Sequence, residues 1–514
     1  MPPAPPKPSS GVYRLPSGCG VLYRLRLVGH DSSATGKDNG VHASMIDIRY
    51  VKQEGTFLVR NRGDGPDSSG SVQKLLGARL HVDESDNIDG LVPATDMRDK
   101  KGKVRSGFVE ANRLSAKQQL KIFYLDVGQG DATLIEAEGA IVVIDGGPNR
   151  GFHDDLIKRL KKLRQADLDA GLPARQRLRI NAIVVTHFDL DHYAGLIKVL
   201  ETKDFEIGRI YHNGLPRYSN TAGKDLNLGD LVNHVDGTRS ISADLGDIAS
   251  ARQLLSSGDL ITAKGNDNKF AKFLRAAVAA FDDDRLGSMK RLVRRNTAGK
   301  PAVLPDTGPD LSVEILGPVT TKESGAIRLP VFPDPHSVSK SNPNPSPSES
   351  HTINGNSVVL RLVYDKTTFL FGGDLNQPAQ RYIAKRYRSL APFSADVNKA
   401  CHHGSSDFDL AYLKAVAPDA TVFSSGDNGS HDHPLPDAMG TAAKHSHGNF
   451  PLVFSTELAR ETGSDGIKFG HINARSNGNL IVMAQKKEKP SLKKTWHSFR
   501  LPFAGPFAED HSEN

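Results

Sequence analysis

The sequence predicts a mixed α/β fold, of the α+β kind, with a candidate metal centre at one end of a sheet. Residues 20–117 are rich in short β patterns and turns, and strands alternate with helices from residue 118 onwards. Four potential metal ligands stand within residues 187–192, directly after the apolar segment 180–185. A strand that ends in such a group delivers imidazole and carboxylate side chains to the edge of its sheet.

Four regions follow from the composition along the chain. Residues 1–19 are Pro-rich, lack the apolar core of a signal peptide and predict a disordered lead-in. Residues 20–117 predict a small β-rich domain, and residues 118–485 predict the main domain, with an insertion over about 213–350. The last region, 486–514, predicts a basic tail.

Within the main domain, the apolar spacing predicts each element in turn. Expected strands cover residues 120–127, 132–136, 140–145, 180–185, 357–364, 368–371 and 420–425. Expected helices cover residues 152–163, 193–200, 269–294 and 377–388.

Composition points to a soluble, cytoplasmic protein. The 514 residues are 38% hydrophobic and contain no run of 18 apolar residues, so we expect no membrane span. Only Cys19 and Cys401 occur, which excludes a disulfide framework and favours a reducing compartment. The formal charge of +7 is compatible with a nucleic-acid partner but is modest for this length, and the basic runs near 290–295 and 486–494 are more often solvated faces.

The group after the apolar strand consists of His187, Asp189, Asp191 and His192. Its alternative interpretation is a polar surface turn, which four ligand-type side chains in six residues make the weaker hypothesis. Two His and two Asp at this density can hold a pair of divalent ions.

Several segments together resemble the metallo-β-lactamase fold superfamily, and more narrowly the hydrolase domain of ComEC-type competence DNA-uptake proteins. The resemblance covers about residues 118–485 and leaves out the N-terminal domain. The matching segments are residues 124–132, 143–147, 187–192, 356–360, 371–374, 399–405, 424–426 and 432–434. It implies an αββα sandwich with the metal site at one edge between the two sheets.

The resemblance also implies a set of ligands for two divalent ions, zinc or manganese. His187 and Asp189 would serve the first ion, and Asp191 and His192 the second. Asp189 stands where the superfamily usually has a second His, and this exchange makes the site harder and favours manganese or magnesium over zinc. Asp374 would bridge the two ions, the alternative being an Asx turn or a helix N-cap.

Other histidines and charged residues receive roles of the same kind. Of His402 and His403, one would bind the second ion, with His403 favoured, and the other would orient it or contact substrate. His351 could supply a further ligand or be a chance His beside a Pro/Ser loop. The remaining assignments concern support and catalysis: Asp145 and Asp131 would orient ligands, Lys399 would counter phosphate charge unless it is an ordinary surface residue, and His433 would protonate a leaving group.

These assignments predict a metal-dependent hydrolase in which a two-metal-activated hydroxide cleaves phosphodiesters, with DNA as the first choice of substrate. Asp191, His433 and Lys399 are the residues expected to take part in the chemistry. Two other classes stay open at this point: a hydrolase of a small phosphodiester or other ester, and a regulatory or binding module. The sequence identifies no protein partner.

Overall fold

A computed structural model describes most of the chain. The described residues are 46–53, 55–97, 103–148, 154–169, 176–321, 326–337, 346–426, 433–447 and 451–456, together with the backbone of three strands at 467–474, 479–486 and 495–502. The lead-in predicted at residues 1–19, Asp432 and most of the predicted tail lie outside them.

The N-terminal region is β-rich, as the sequence predicts. Its strands are β1 (Ile46–Val51), β2 (Thr56–Leu58), β3 (Val72–Lys74), β4 (Arg79–Asp83), β5 (Leu91–Asp96), β6 (Ser106–Glu110) and β7 (Leu114–Ser115). Five of them form one sheet in the order β6-β5-β4-β1-β7, and β2 pairs with β3. Val51, Leu80, Val92 and Val109 lie in the core of this domain.

The first half of the main domain alternates strands and helices. In chain order these are β8 (Leu120–Tyr124), β9 (Thr133–Ala137), β10 (Ala140–Ile144), α1 (Asp154–Asp169), β11 (Leu178–Val184), α2 (Leu190–Tyr193), α3 (Leu196–Glu201), β12 (Phe205–His212), β13 (Leu231–Asn233), β14 (Arg239–Ser242), α4 (Ile248–Ser256), α5 (Lys269–Asp282) and β15 (Leu286–Arg291).

The second half supplies a further set of strands. These elements are β16 (Ala302–Val303), β17 (Leu311–Gly317), β18 (Arg328–Pro330), α6 (Glu349–Gly355), β19 (Val359–Tyr364), β20 (Thr367–Phe371), α7 (Gln377–Arg386), β21 (Val397–Lys399), α8 (Leu410–Val416), β22 (Ala420–Phe423), α9 (Pro436–Lys444), β23 (Leu452–Ser455), β24 (Ile467–Ala474), β25 (Asn479–Lys486) and β26 (Thr495–Pro502). None of the helices in the described ranges is long and apolar enough to cross a bilayer.

Two large sheets form the centre of the main domain. The nine-stranded sheet has the order β15-β12-β11-β10-β9-β8-β24-β25-β26, and the seven-stranded sheet has the order β16-β17-β19-β20-β21-β22-β23. Adjacent residues of one strand point to opposite faces of its sheet. In both sheets the two faces are covered, so adjacent residues are buried in different cores. Val142 of β10 therefore packs towards the other sheet, while Val143 packs towards the helices.

The same alternation in the second sheet completes four layers. Phe369 and Phe371 of β20 share the core between the sheets with Val142. Leu370, between them, packs with Ile383 of α7 and Tyr412 of α8 on the outer face. The order helix, sheet, sheet, helix is the predicted αββα sandwich.

Three parts of the chain fold differently from the sequence expectation. The helix predicted over 269–294 ends at Asp282, and the chain continues as β15 at the edge of the nine-stranded sheet. The predicted insertion 213–350 supplies β15 and β17 to the two large sheets, so part of it belongs to the sandwich. Within the predicted basic tail, residues 495–502 form β26, which pairs with β25.

Candidate metal centre

Strand ends from both sheets meet at one edge of the sandwich. The first sheet brings Asp131 after β8, Asp145 after β10 and the loop 185–192 after β11, and the second brings Asp374 after β20 and His403 after β21. All of these strands run towards this edge, so distant parts of the chain place their polar loops together.

Four ligand-type atoms converge at the centre of this edge. Nε2 of His192 and Nε2 of His403 are 3.3 Å apart, and each lies 3.2 Å from Oδ2 of Asp374. Oδ2 of Asp191 lies 3.3 Å from Nε2 of His403. Ligands at the vertices of a tetrahedron with bonds of 2.0–2.1 Å are about 3.3–3.4 Å apart. The mutual spacing of the His192, His403 and Asp374 atoms therefore fits one divalent ion, and Asp191 lies beside this group.

His187 presents a further ligand atom near Asp374. The Thr186 hydroxyl donates its single hydrogen to Oδ2 of Asp145 at 2.7 Å, so it accepts from Nδ1 of His187 at 3.0 Å. This tautomer leaves a lone pair on Nε2, which is buried, 4.0 Å from Oδ2 of Asp374 and without a hydrogen-bond partner among the described residues. Burial holds the pKa of His187 well below its usual value, so the ring is neutral and suited to bind a cation.

Hydrogen bonds at Nδ1 orient the two central imidazoles, those of His192 and His403. Nδ1 of His192 donates to Oδ2 of Asp145 at 2.9 Å, and Nδ1 of His403 donates to the carbonyl oxygen of Ser424 at 2.9 Å. A proton fixed on Nδ1 turns Nε2 towards the centre, as metal-binding histidines require. Burial opposes protonation of His192, yet Asp374 and Asp145 raise its pKa well above the usual value. The proton that such a histidine binds balances the negative charge of the carboxylates, and it would be released when a cation binds.

Asp374 faces three imidazoles, since Nε2 of His192, His403 and His187 lies 3.2, 3.2 and 4.0 Å from its Oδ2 atom. The alternative of a helix N-cap is wrong, because Asn376 caps α7 and accepts from the backbone N–H of Ala379 at 3.2 Å. The backbone N–H of Asp374 donates to Oγ of Ser357 at 3.0 Å, which fixes the loop. The carboxylate is thus free to face the histidines.

The two carboxylates of the loop after β11 differ in their surroundings. The Asp191 side chain is 31% exposed, so the central group is accessible to solvent at Asp191. Asp189 stands at the N-cap position of α2, but its side chain makes no capping hydrogen bond. Burial raises the pKa of Asp189, and the Arg217 guanidinium opposes this rise. Asp189 is therefore near the centre, but it makes no direct contact with the central ligand atoms among those described.

Asp131 also lies at the centre, where the sequence predicts a supporting residue with a chance of lying near the substrate. One ligand-type atom from each of Asp131, His192, Asp374 and His403 lies within 4.8 Å of the others. However, its oxygens are 3.4 Å from Nδ1 of His403 and 3.8 Å from Nδ1 of His192, the nitrogens that face away from the converging atoms. This position agrees better with support of the ligands than with direct binding of the ion.

Lys399 faces these carboxylates and is almost fully buried, which excludes the alternative of an ordinary surface residue. Its ammonium group forms an ion pair with Asp131 and lies 3.8 Å from Oδ1 of Asp374. Burial opposes its charge, but Asp131 and Asp374 raise the pKa of Lys399, so it stays protonated. The lysine therefore offsets negative charge of the protein itself at this centre.

A glycine explains how the loop of Asp131 approaches so closely. Gly130 has φ +139°, and a Cβ there would lie 2.4 Å from the carbonyl oxygen of Asp191. No other residue fits this backbone and this distance. The segment 128–131 therefore depends on glycine to reach α2.

His402 and His433 lie at the rim of the centre. The ring of His433 is centred 6.3 Å from that of His403 and 5.8 Å from that of His402. Nδ1 of His433 is 3.3 Å from Nε2 of Gln129, and Nε2 of His402 is 3.4 Å from Nδ2 of Asn354. Of the predicted pair, His403 is the residue that reaches the central atoms, as the sequence analysis favours.

The structure does not bring His351 to the centre. Its Nε2 lies 3.3 Å from Oδ2 of Asp407, and its Nδ1 lies 3.0 Å from Oγ of Ser348. Ser348 is the N-cap of α6 and accepts from the backbone N–H of His351. The position of this histidine is thus explained by helix capping and an ion pair, and the geometry supports the chance-histidine alternative.

Comparison with known proteins agrees with this architecture. Residues 125–233 match the family model described as "Metallo-beta-lactamase superfamily", whose members are generally metal-dependent hydrolases. None of the curated proteins compared with the chain matches it.

Solved structures that are similar to parts of this chain include the following three proteins. The chain is 10% identical to YhfI from Bacillus subtilis, with 66% of this chain and 96% of that chain covered and a TM-score of 0.30. It is 11% identical to a diphosphatase from the PhnP family, covering 65% and 94% at a TM-score of 0.28. It is 11% identical to a metallo-β-lactamase from Cronobacter sakazakii, covering 54% and 76% at a TM-score of 0.24. These likenesses concern the fold and say nothing about substrate.

Proposed function

We propose that this chain, with its metallo-β-lactamase superfamily domain, is a metal-dependent hydrolase that cleaves phosphodiesters, with DNA as the substrate. The observation that carries the proposal is the convergence of His192, His403 and Asp374, whose facing atoms lie 3.2–3.3 Å apart, with Asp191 3.3 Å from His403. Two buried imidazoles around a buried carboxylate have no use in stabilising the fold that apolar side chains would not serve better. It is the arrangement expected of a cation site.

The residues that would hold two ions are grouped around Oδ2 of Asp374. Nε2 of His192 and of His403 lies 3.2 Å from this oxygen and Nε2 of His187 lies 4.0 Å from it, while Asp191 lies 3.3 Å from His403 and Asp189 belongs to the same loop. Divalent ions held here would supply a water of lowered pKa and neutralise charge on the phosphate oxygens. Because carboxylates form about half of this set, manganese or magnesium is as suitable as zinc.

The remaining residues have roles that the geometry supports. Asp145 and Ser424 hold the imidazoles in the tautomer that binds cations. Lys399 limits the negative charge that the carboxylates would present to an anionic substrate. His433, held by Gln129 at the rim, is placed to give a proton to the departing oxygen.

The choice of a phosphodiester rests on the narrower resemblance to ComEC-type hydrolase domains. That resemblance includes the segments that carry Asp131, Asp374 and His403, and the proximity of their ligand-type atoms, within 4.8 Å of one another, supports this choice. The carboxylate-rich ligand set, which suits the hard ions used in phosphoryl chemistry, supports the same choice.

Purified protein loaded in turn with manganese, magnesium and zinc would test the proposal against single-stranded DNA, duplex DNA and bis(p-nitrophenyl) phosphate. We expect metal-dependent cleavage, reduced about 100-fold or more in Asp374→Asn, because the shared carboxylate is lost. Asp365→Asn is the matched control, since Asp365 is an exposed residue of the turn between β19 and β20. Equal cleavage by the wild type and Asp374→Asn would show that the activity comes from elsewhere.

A further inference from the structure

The loop that carries the candidate ligands also forms one wall of a cavity of about 350 Å³. Phe188, Leu190 and Tyr193 line this wall, and the opposite wall includes Arg217 and Ala263. Ligand-binding cavities in proteins measure about 300–1,000 Å³. The cavity is thus large enough for one small ring system and lies at the small end of that range.

The cavity adjoins the metal centre directly. Leu190 stands between Asp189 and Asp191, and half of its surface is exposed (50%), which is unusual for a leucine so close to a buried centre. A molecule bound at the metal centre through one phosphate would therefore have the cavity beside it.

The lining combines an apolar slot with positive charge. Six of the thirteen lining residues are aromatic or aliphatic, five carry hydroxyl or amide groups, and Arg217 and Lys269 add two cationic groups. Arg217 is held in place by Glu349, whose Oε1 lies 3.2 Å from its Nη1, and its side chain remains 27% exposed. A flat aromatic ring with a polar edge, attached to an anionic backbone, fits such a site, and a nucleotide unit of a DNA strand has this chemistry.

We propose that this cavity takes one unstacked nucleobase of a single-stranded DNA whose phosphodiester lies at the metal centre. The proposal rests on the proposed function and narrows it to single-stranded substrate. A base in a duplex has to leave its stack and its partner before it can enter a pocket, so paired DNA binds less well.

Binding can be measured separately from cleavage. The probes are fluorescein-labelled ten-nucleotide phosphorothioate strands, which resist hydrolysis: a strand with bases, its duplex, and an abasic strand of equal charge. With the full-length, metal-loaded protein, fluorescence anisotropy should give at least ten-fold tighter binding of the strand with bases than of either of the other two.

Ala263→Trp fills the cavity from the wall away from the ligands, at an exposed position that should tolerate the change. We expect this variant to bind the strand with bases as weakly as the abasic strand. Leu75→Trp, at a leucine of the N-terminal domain that is 42% exposed, should keep the wild-type preference. Melting temperature and metal content, measured for both variants, would exclude a general loss of structure.

The inference is wrong if the wild type binds the strand with bases and the abasic strand equally, if it binds neither, or if Ala263→Trp keeps the full preference. Hydrolysis of bis(p-nitrophenyl) phosphate by the wild type reports on the proposed function independently. Hydrolysis without a base preference would support the proposed hydrolase function and contradict nucleobase binding in the cavity. A base preference without hydrolysis of any diester would support nucleobase binding and contradict the proposed hydrolase function.

Discussion

Asp145→Asn isolates the part that ligand orientation plays in metal binding. The Asp145 carboxylate accepts three hydrogen bonds: from the backbone N–H of Thr186 at 2.8 Å, from its hydroxyl at 2.7 Å, and from Nδ1 of His192 at 2.9 Å. An asparagine keeps one oxygen for the backbone N–H but turns an NH₂ group towards His192. Nδ1 must then act as the acceptor, so the proton moves to Nε2, the atom that faces Asp374.

The magnitude follows from this change of tautomer. Loss of an outer partner of a metal-binding histidine costs about 10–100-fold in affinity, or about 1.4–2.7 kcal/mol. We expect a metal dissociation constant raised by that factor, measured by competition with a chromophoric chelator, with a parallel loss of hydrolysis at limiting metal. The fold should survive, because the hydrogen bond from the backbone N–H of Thr186 is retained.

Asp396 provides a matched control. It accepts from the backbone N–H of Thr368 at 2.6 Å and from its hydroxyl at 2.7 Å, an arrangement like that of Asp145 and Thr186 but without a histidine. Asp396→Asn should leave metal affinity unchanged. If Asp145→Asn also binds metal within two-fold of the wild type, Asp145 does not set the tautomer and the reasoning fails.

Three further predictions concern the sandwich and its edge. Gly130→Ala should destabilise the fold by about 2 kcal/mol or more in urea unfolding, because its Cβ would meet the carbonyl oxygen of Asp191, whereas Gly139→Ala, at a positive φ with open space, should cost about 1 kcal/mol. Phe371→Ala, in the core between the sheets, should cost about 3–5 kcal/mol in the same assay. Burial raises the pKa of Asp419 from 3.8 to about 6. The folded state therefore binds more protons between pH 4 and 6, so stability falls as pH rises through this window, and Asp419→Asn should reduce that fall by on the order of 1 kcal/mol. An unchanged pH profile would contradict this assignment.

The sequence predicts most of what local pattern controls. The strands around residues 120–145 and 357–371 have continuous or alternating apolar residues, and the structure places β8 to β10, β19 and β20 there. The residue at which α5 ends could not be predicted from the local apolar pattern. Arg285 and Met289 continue a helical spacing of buried residues, and only pairing with β12, across the sheet, makes this segment a strand.

The candidate site shows the same division. The group at residues 187–192 is visible because its members are close in sequence, and His187, Asp191 and His192 do reach the centre. The ion pair between Asp131 and Lys399 joins two strand ends that are far apart along the chain, so no local pattern reveals it. Its only signal is Gly130, which marks a close backbone approach without naming the partner.

The ligands at this edge come from both halves of the sandwich: His187 and His192 follow a strand of one sheet, and Asp374 and His403 follow strands of the other. A cation bound among them would link the two sheets, which otherwise meet through the apolar core and a few polar contacts such as the ion pair between Asp131 and Lys399. Removing the ion with a chelator should lower the melting temperature and widen the transition. The reason is that an ion which binds only the folded protein adds its binding free energy to the stability of the folded state.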